Sequence, residues 1–568
     1  MGHATCVLSV LGHQIYSCLL VYCPHKCDGI SCAHNDLNWT TPCQLCIMNV
    51  SMDQGRDLGE VVSSLQSLVA RLSVSREPIL PVSIPALPET ARRLPESAQS
   101  EPLAAVAKHL ETYITPYLNL SSLSPNYYGF VTGGATPAAL LADWVASVYD
   151  QNVHVHLPQE TIATSVEVTT LNLLLDLFRL PAPEWSVGGS GNGGATFTTG
   201  ATASNVLGLA LGREFVLRRA VQRRTGSTND SQTSCGECGI GELMKEGAVE
   251  RIQVLSTMAH SSIAKAASIA GIGRKNIRSV AQEGDPLQID LNALEREARR
   301  EGSVSILAIS AGEVNTGRFA TNSWEQMHKI RRICDELGVW IHVDGAFGLF
   351  GRVLLGQSDG DEYRAIEDGI QGLEMADSIT GDCHKLLNVP YDCGIFFTRH
   401  KHLSEAVFGN GNAAYLTSGM ASASGDDIQS PMNVGIENSR RFRALPVYVT
   451  LMAYGRKGYM DMLSRQIGLA RRITRYLLGD ARFDVLPHAQ NAEDMLARTF
   501  IVVLFRARNE DLNSNLVKRI NATGKIYVTG TAWEGKPAAR MAVSNWRVDV
   551  EHDGTLIEKV LNEVAQGY

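Results

Sequence analysis

The sequence predicts an α/β protein: a large domain built on a mainly parallel sheet, followed by a smaller α+β domain at the C-terminus. Between about residues 137 and 398, short apolar segments alternate with segments of helical periodicity. After about residue 435 the pattern changes to two helices, a group of strands and a final helix. Regular alternation is typical of parallel strands whose connecting helices cover the sheet.

The large domain is expected over residues 136–434 and the small domain over residues 435–568. Arg223–Leu243 is rich in Gly, Ser and Cys and is predicted to be a surface loop. Gly338 should end the helix before it, because glycine readily takes the left-handed conformation that closes a helix. The predicted elements, in chain order, are the strand Gln253–Thr257, the helix Ser262–Ala270, the strand Val304–Ser310, the helix Trp324–Leu337, and the strands Val339–Asp344, Cys393–Thr398 and Thr499–Arg506.

Two segments precede these domains. Residues 1–51 are interpreted as a Cys-rich leader that is poorly structured, and residues 52–135 as an arm that is partly helical and partly extended. Within the arm, residues 57–72 have helical periodicity. Five prolines between Pro78 and Pro95 then predict an extended segment, because proline cannot occupy a helix interior.

The cysteines are concentrated in the leader. Seven of the 12 cysteines precede residue 47. Five of them could form a zinc site with His25 and His34, namely Cys23, Cys27, Cys32, Cys43 and Cys46, although only Cys43 and Cys46 have a familiar ligand spacing. A secretory signal is a second alternative, but no Lys or Arg precedes the apolar stretch. We predict no metal ion. The few cysteines in the rest of the chain favour a reducing, cytoplasmic location.

Composition excludes some classes of partner. Hydrophobic residues make up 44% and charged residues 19% of the chain, as in ordinary globular proteins. The 51 Lys and Arg are outnumbered by 59 Asp and Glu, so there is no positive excess to follow a nucleic-acid backbone. No apolar run approaches the roughly 20 residues of a membrane-spanning helix. We therefore expect neither a nucleic-acid nor a membrane partner.

Three segments carry candidate chemistry. The first runs from Thr199 to Asn205 and opens a predicted helix with small residues, chiefly Gly200, Ala201, Thr202 and Ala203. Backbone N–H groups at the start of a helix can hold a phosphate at the positive end of the helix dipole. The alternative is an ordinary turn into a helix with a Ser or Thr cap.

The second and third segments each supply a charged group. Asp344 ends a buried predicted strand, where α/β sheets present ligand-binding groups, and its alternative role is to cap the next turn. Asp382, His384 and Lys385 follow another short strand and could equally be a solvated polar group. Together the segments suit pyridoxal 5′-phosphate, which requires an amine for a Schiff base, an anion opposite the pyridine nitrogen and a phosphate cradle.

Six segments resemble the group II pyridoxal-phosphate decarboxylases, which include the glutamate and aromatic-L-amino-acid decarboxylases. HVDGAFG, which contains Asp344, is similar to the family's HVDAAxxG, and DCHK, which contains Lys385, is similar to (N/D)xHK. TTGATASN is similar to the glycine-rich phosphate turn. The segments that end at His260, Phe130 and Leu445 resemble the family's cofactor-stacking strand, its substrate-pocket segment HPxFFGY and its SRRxxAL helix.

The resemblance covers about residue 57 to the C-terminus and implies a transferase fold of type I and a homodimer with shared active sites. Carried over by position, Lys385 would form the Schiff base and Asp344 would pair with the ring nitrogen. His260 and Ala346 would pack on the two faces of the ring. The phosphate would be bound by Ala201, Thr202 and Ala203 next to Gly200, with Asp382 or His384 nearby.

The implied activity is decarboxylation of an L-amino acid, a small-molecule substrate, to an amine and CO₂. Tyr415 matches the tyrosine of the family's catalytic loop, which reaches the partner subunit and donates a proton. The alternatives are an aldehyde synthase or aminotransferase on the same scaffold, or a non-catalytic interaction protein.

The sequence leaves the substrate open. Its aromatic residues, Tyr127, Tyr128, Phe130 and Trp533, would suit an aromatic side chain, whereas a charged substrate would require an arginine such as Arg540 or Arg547. The departures from the family pattern at Gly312–Gly317 and at Leu386 affect the expected substrate side.

Overall fold

The computed structural model describes residues 59–66, 78–94, 102–226, 234–356, 361–409 and 428–567. The predicted leader and Tyr415 lie outside these ranges. Two compact units are distinguished: residues 1–70 with 95–109, and residues 71–94 with 110–568. In the first unit, the described residues form helix α1 (59–66) and helix α2 (Pro102–His109). Helix α1 confirms part of the predicted 57–72 helix. The domain boundaries stay predictions.

A seven-stranded sheet forms the centre of the second unit, in the order β1-β9-β8-β7-β6-β2-β3. Strands β8, β7, β6, β2 and β3 pair in parallel, and β9 is antiparallel to both of its neighbours, β1 and β8. The predicted mainly parallel sheet is confirmed. The strands are β1 (Gly194–Thr198), β2 (Arg251–Ser256), β3 (Ile277–Ser279), β6 (Ser303–Ser310), β7 (Trp340–Asp344), β8 (Ser378–Asp382) and β9 (Gly394–Thr398), and a separate hairpin pairs β4 (Ala281–Gln282) with β5 (Asp285–Ile289).

Alternate residues of these strands enter two different hydrophobic cores. Leu307 and Ile309 of β6 lie in one core, and Ile306 and Ala308 lie in the other. Because successive side chains of a strand point to opposite faces, this pattern shows that the sheet is buried on both sides. The helices of this region are α3 (Pro137–Tyr149), α4 (Ala163–Leu177), α5 (Ala182–Trp185), α6 (Ala201–Thr225), α7 (Cys235–Cys238), α8 (Ile240–Glu246), α9 (Ser261–Ile269), α10 (Leu291–Ala298), α11 (Trp324–Leu337), α12 (Arg364–Ile370), α13 (Cys383–Leu386) and α14 (Lys401–Phe408).

The C-terminal part contains a smaller antiparallel sheet in the order β10-β11-β13-β12. It has its own core, in which Val503 and Phe505 pack against Ile473 and Ile557 of the helices. The smaller α+β region is therefore confirmed. Its strands are β10 (Phe483–Leu486), β11 (Val502–Ala507), β12 (Thr529–Trp533) and β13 (Lys536–Ala542), and its helices are α15 (Ala444–Gly479), α16 (Ala492–Arg498), α17 (Glu510–Ala522) and α18 (Val550–Val564).

Several predicted elements agree closely with the structure, and two differ. Helix α11 matches its prediction at both ends, with a Ser323 cap and with Gly338 in the left-handed conformation (φ 72°). The loop prediction for Arg223–Leu243 is wrong in part, because α7 lies within it, α8 begins within it, and the side chains of Cys235 and Leu243 are buried. The segment with five prolines is mostly extended but includes a short 3₁₀ helix at Glu89–Arg92.

Across the described residues, no helix combines the length and apolar character that crossing a lipid bilayer would require.

Candidate active site

The predicted site residues meet where the parallel strands end. Asp344 is the last residue of β7 and pairs with Thr380 of β8, which continues to Asp382. The backbone N–H of Asp382 donates to the carbonyl of Ala346 at 3.0 Å, so the segments that follow β7 and β8 are joined directly. Lys385 lies on α13, the short helix after β8. Parallel strands present their carboxyl ends at one edge of the sheet, which is where α/β proteins bind ligands.

Asp382 connects this edge to the start of α6. Its Oδ1 accepts a hydrogen bond from the backbone N–H of Ala201 at 2.6 Å, and its Oδ2 lies 2.8 Å from Lys385 Nζ. The Nε2 of His384 is 3.7 Å from Oδ1. The Asp382 side chain is buried, so an anion already occupies the positive end of the α6 dipole. Thr202 and Ala203 belong to the same first turn, where backbone N–H groups have no partner inside the helix.

Asp344 is held by two hydrogen bonds. Its Oδ2 accepts from Asn205 Nδ2 at 3.0 Å, and its Oδ1 accepts from the backbone N–H of Ala346 at 3.3 Å. Asn205 lies one turn after Ala201 on α6, so the helix that begins at Asp382 also orients Asp344. The carboxylate is buried, with 8% of its surface exposed. A buried, fixed carboxylate fits the predicted partner of a protonated ring nitrogen.

His260 caps the N-terminus of α9, which follows β2. Its Nδ1 accepts a hydrogen bond from the backbone N–H of Ser262 at 3.2 Å and lies 2.7 Å from Ser262 Oγ. Ser262 Oγ in turn lies 3.0 Å from Asn205 Nδ2. The structure therefore connects His260 to the same amide that holds Asp344, and the rest of its ring is exposed.

His384 and Tyr391 form a second wall beside Lys385. Burial lowers the pKa of His384 below its ordinary value, and its Nδ1 accepts the backbone N–H of Cys393. The ring of Tyr391 lies 4.4 Å from that of His384, and its hydroxyl hydrogen-bonds with Thr132. Burial raises the pKa of Tyr391 above its ordinary value, and the charge of Lys385 acts in the opposite direction.

The residues that directly follow the expected substrate-pocket segment contact the backbone of Lys385. A side chain at Gly133 would collide with the carbonyl of Lys385, and Asn388 Nδ2 donates to the carbonyl of Gly133 at 2.7 Å. Tyr128, however, lies in the C-terminal core, where its hydroxyl bonds Asn126. Phe130 is exposed, at 67%. Of the aromatic side chains near this segment, Tyr127 is stacked on Tyr527, with ring centroids 4.6 Å apart.

Arg540 connects the segment that contains Phe130 to the segment that contains Val314. Its Nη1 donates to the carbonyl of Phe130 at 2.7 Å and its Nε donates to the carbonyl of Val314 at 2.6 Å. Burial lowers the pKa of its guanidinium to about 10. Its remaining nitrogen, Nη2, is buried and has no hydrogen-bond partner among the residues that the structure describes. Such a group is available to an anion that enters the site.

Comparison with known proteins agrees with this geometry. The model of the pyridoxal-dependent decarboxylase conserved domain matches residues 88–493, which is more than half of the chain. This chain belongs to the pyridoxal-dependent decarboxylase family. The predicted family, its type I fold, its cofactor pyridoxal phosphate and its activity as an amino-acid decarboxylase are thus confirmed. The backbone N–H groups in the first turn of α6, the amine of Lys385 and the buried carboxylate of Asp344 are chemically suited to the phosphate, the aldehyde and the ring nitrogen of that cofactor.

Individual members of the family have diverged widely from this decarboxylase. The L-2,4-diaminobutyrate decarboxylase of Acinetobacter baumannii is 28% identical over 66% of this chain and 69% of its own length. The phenylacetaldehyde synthase of a Rosa hybrid cultivar is 24% identical over 79% of this chain and 82% of its own length. The crystal structure of Oryza sativa TDC with PLP and tryptamine superposes with a TM-score of 0.71 at 23% identity, covering 89% of this chain and 97% of that one.

Sequence reasoning missed several residues of this site. Asn205, His342 and Ser378 were not identified, although His342 lies two residues before Asp344 and therefore on the same face of β7. Tyr391 was also missed. Its only signal is its position six residues after Lys385, which does not show that the chain turns back over His384.

Proposed function

We propose that this decarboxylase removes the α-carboxyl group of an L-amino acid and releases CO₂ and an amine, with Lys385 holding the cofactor as a Schiff base. The observation that supports this most directly is the role of Asp382, which contacts both Lys385 and the first N–H group of α6. Asn205 on the same helix contacts Asp344. The amine, the ring-nitrogen partner and the phosphate turn are therefore connected to one another by hydrogen bonds at one edge of the sheet.

The remaining roles follow from these positions. Bound pyridoxal phosphate supplies an electron-withdrawing ring that stabilises the negative charge left on the substrate's Cα. Asp344 would hold the proton on the ring nitrogen, and His260 and Ala346 would lie on the two ring faces. The phosphate would lie against Gly200, Ala201, Thr202 and Ala203, with Asp382 and His384 nearby.

The protein's own groups also control water and protons. The segment that contains Gly133 packs on Lys385 and limits solvent access from that side, which strengthens charge interactions in the site. Burial raises the pKa of Tyr391, so its hydroxyl is a weaker acid than that of an exposed tyrosine. A proton must finally reach Cα, and Tyr415 is proposed as its donor.

We propose further that Arg540 binds a carboxylate of the substrate. The guanidinium is buried between Phe130 and Val314, and its Nη2 is the polar atom there without a hydrogen-bond partner within the described ranges. Placing an anion beside a buried, unpaired guanidinium nitrogen relieves a desolvation cost. The aromatic alternative has less support, because Tyr128 and Trp533, two of its four candidate residues, lie in hydrophobic cores.

A homodimer in the cytoplasm is part of the same proposal. Helix α3 exposes a row of large apolar side chains, from 37% to 62% exposed: Leu140, Leu141, Trp144, Val148 and Tyr149. Contiguous exposed apolar surface of this kind usually marks an interface, and a second copy of the chain is the proposed occupant. The five cysteines of the described ranges are free thiols, which supports a reducing compartment.

Borohydride reduction tests the central assignment. Treating the purified enzyme with borohydride and mapping its peptides should locate a pyridoxyl group on Lys385. The Lys385→Ala variant should lack the label and turnover, whereas Lys265→Ala, which removes an exposed lysine of α9, should retain both. A label on another lysine, or multiple turnover by Lys385→Ala, would refute the assignment.

An aldehyde synthase is the second candidate, because the Rosa phenylacetaldehyde synthase is among the relatives. His260 and the Tyr-Leu pair at residue 415 favour simple decarboxylation. Measuring amine and aldehyde per CO₂ released decides between the two. Equal amounts of amine and CO₂ support the decarboxylase, and aldehyde with hydrogen peroxide supports the synthase.

A further inference from the structure

A buried chain of hydrogen bonds runs behind the site, on the face of the sheet covered by α6. Trp340 Nε1 donates to Ser378 Oγ at 3.1 Å, and Ser378 Oγ lies 2.8 Å from His342 Nδ1. His342 Nε2 lies 2.9 Å from Asn205 Oδ1. None of these four side chains has solvent-exposed surface. Side chains without contact with water must satisfy one another, so the chain has little freedom to rearrange.

The alternation of β7 and the small residues of α6 bring these groups together. Trp340, His342 and Asp344 are alternate residues of one strand, so their side chains share the face toward α6. His342 also pairs directly with Ser378 on β8. A side chain at Gly208 would collide with the His342 ring, so glycine is required there for α6 to approach the strand.

Asp344 determines the direction of every hydrogen bond in the chain. A carboxylate only accepts, so Asn205 must turn its NH₂ group toward Asp344 and its carbonyl oxygen toward His342. The Nε2 of His342 therefore carries the proton. Burial lowers the pKa of His342 to about 3, so the ring is neutral and its Nδ1 accepts the hydroxyl proton of Ser378. Each donor faces an acceptor.

We propose that Asn205, His342 and Ser378 are positioning residues that hold the Asp344 carboxylate in place for the cofactor's ring nitrogen. The proposal rests on the role of Asp344 proposed above. Asn205 is the junction, because its amide also contacts Ser262, the partner of His260. The two groups expected on the cofactor ring, one at its nitrogen and one on its face, are thereby fixed by a single side chain.

Cofactor affinity tests this without relying on turnover. Pyridoxal phosphate and its analogue with CH in place of the ring nitrogen are each titrated into cofactor-free protein and followed by absorbance. Asn205→Ala should weaken binding of pyridoxal phosphate by about 10-fold or more, the size of one hydrogen bond to a charged group. Binding of the analogue, which has no ring nitrogen for Asp344, should change by less than about threefold.

A matched pair of variants separates positioning from packing. His342→Leu should also weaken pyridoxal phosphate selectively, because Leu cannot bond Asn205. His342→Gln should restore the wild-type affinity, because its amide provides both a donor and an acceptor. Thr450→Val serves as control, since it removes a buried hydroxyl that bonds the Pro446 carbonyl in α15. This control should leave both affinities unchanged.

The outcomes are distinguishable. Equal weakening of both ligands by Asn205→Ala, or no weakening of either, would overturn the positioning role. Failure of Gln to restore binding in a variant that melts at the wild-type temperature would do the same. If the wild-type protein itself binds both ligands equally, the assignment of Asp344 to the ring nitrogen fails, and with it the proposed function of that residue.

Discussion

Asp382 Oδ2 lies 2.8 Å from Lys385 Nζ, while the other oxygen of the same carboxylate accepts the first backbone N–H of helix α6. The site thus contains an anion where the phosphate of the cofactor is expected. The single carboxylate of Asp382 therefore neutralises the Lys385 amine and also caps the N-terminus of α6. The family pattern allows Asn or Asp at this position, and the two differ by a full charge next to a phosphate.

Asp382→Asn should therefore tighten binding of pyridoxal phosphate. The amide oxygen can still accept from Ala201, but the repulsion between carboxylate and phosphate is removed, which for like charges near a protein surface amounts to a few kcal/mol at contact distance. We expect an increase in affinity of about tenfold, measured by titrating cofactor-free protein. Pyridoxal without its phosphate is the control ligand: any change in its affinity measures the effect of losing the Asp382 charge next to Lys385, and the gain for pyridoxal phosphate should exceed that change. Weaker binding of pyridoxal phosphate by the variant would show that the negative charge is required.

The site could be predicted from the sequence only where one segment carried its own signal. Asp344 and Lys385 each follow a short apolar strand, so their place at the strand ends is a local property. The contact between Asn205 and Asp344 joins residues 139 positions apart and depends on how α6 packs on β7. The loop prediction at Arg223–Leu243 was wrong in part because it rested on the Gly, Ser and Cys content of the segment. Its helices form because Cys235 and Leu243 are buried against the rest of the protein, and the sequence of the segment alone does not show that burial.

Arg540→Lys tests the proposed carboxylate site. Lysine keeps the positive charge but lacks the planar guanidinium. In Arg540 that group bonds the carbonyls of Phe130 and Val314 and leaves Nη2 for a third partner. We expect KM for the amino acid to rise about 10-fold or more, with kcat and the affinity for pyridoxal phosphate nearly unchanged. Arg547→Lys, a neighbouring arginine whose Nη1 bonds the Leu123 carbonyl, is the matched control. A fall in kcat at constant KM would contradict a role in substrate binding.

Because His342 is buried, we expect the folded protein to become less stable as the pH falls. Burial lowers its pKa from 6.5 to about 3 in the folded protein. Between those two pH values the unfolded chain binds a proton that the folded chain does not, so the free energy of unfolding should fall as pH decreases from 6.5 toward 3. The contribution is at most about 1.4 kcal/mol per pH unit. Urea unfolding at several pH values should show a shallower dependence for His342→Gln, and equal slopes would contradict the buried neutral state.

Tyr415→Phe separates loss of CO₂ from the step that follows it. Tyr415 lies outside the described residues, and its role rests on the resemblance of its loop to the family's catalytic loop. Loss of CO₂ depends on Lys385 and Asp344, and the hydroxyl of Tyr415 takes no part in it. Protonation of Cα does require a positioned acid, and a tyrosine hydroxyl in a closed site can supply it.

Without that proton, the electron pair on Cα becomes open to O₂, which gives aldehyde, ammonia and hydrogen peroxide. We therefore expect continued CO₂ release with a lower ratio of amine to CO₂. Tyr391→Phe is the matched control, because the Tyr391 ring lies 4.4 Å from that of His384, the residue next to Lys385. If Tyr391→Phe lowers the ratio and Tyr415→Phe does not, the proton comes from Tyr391 and the loop assignment is wrong.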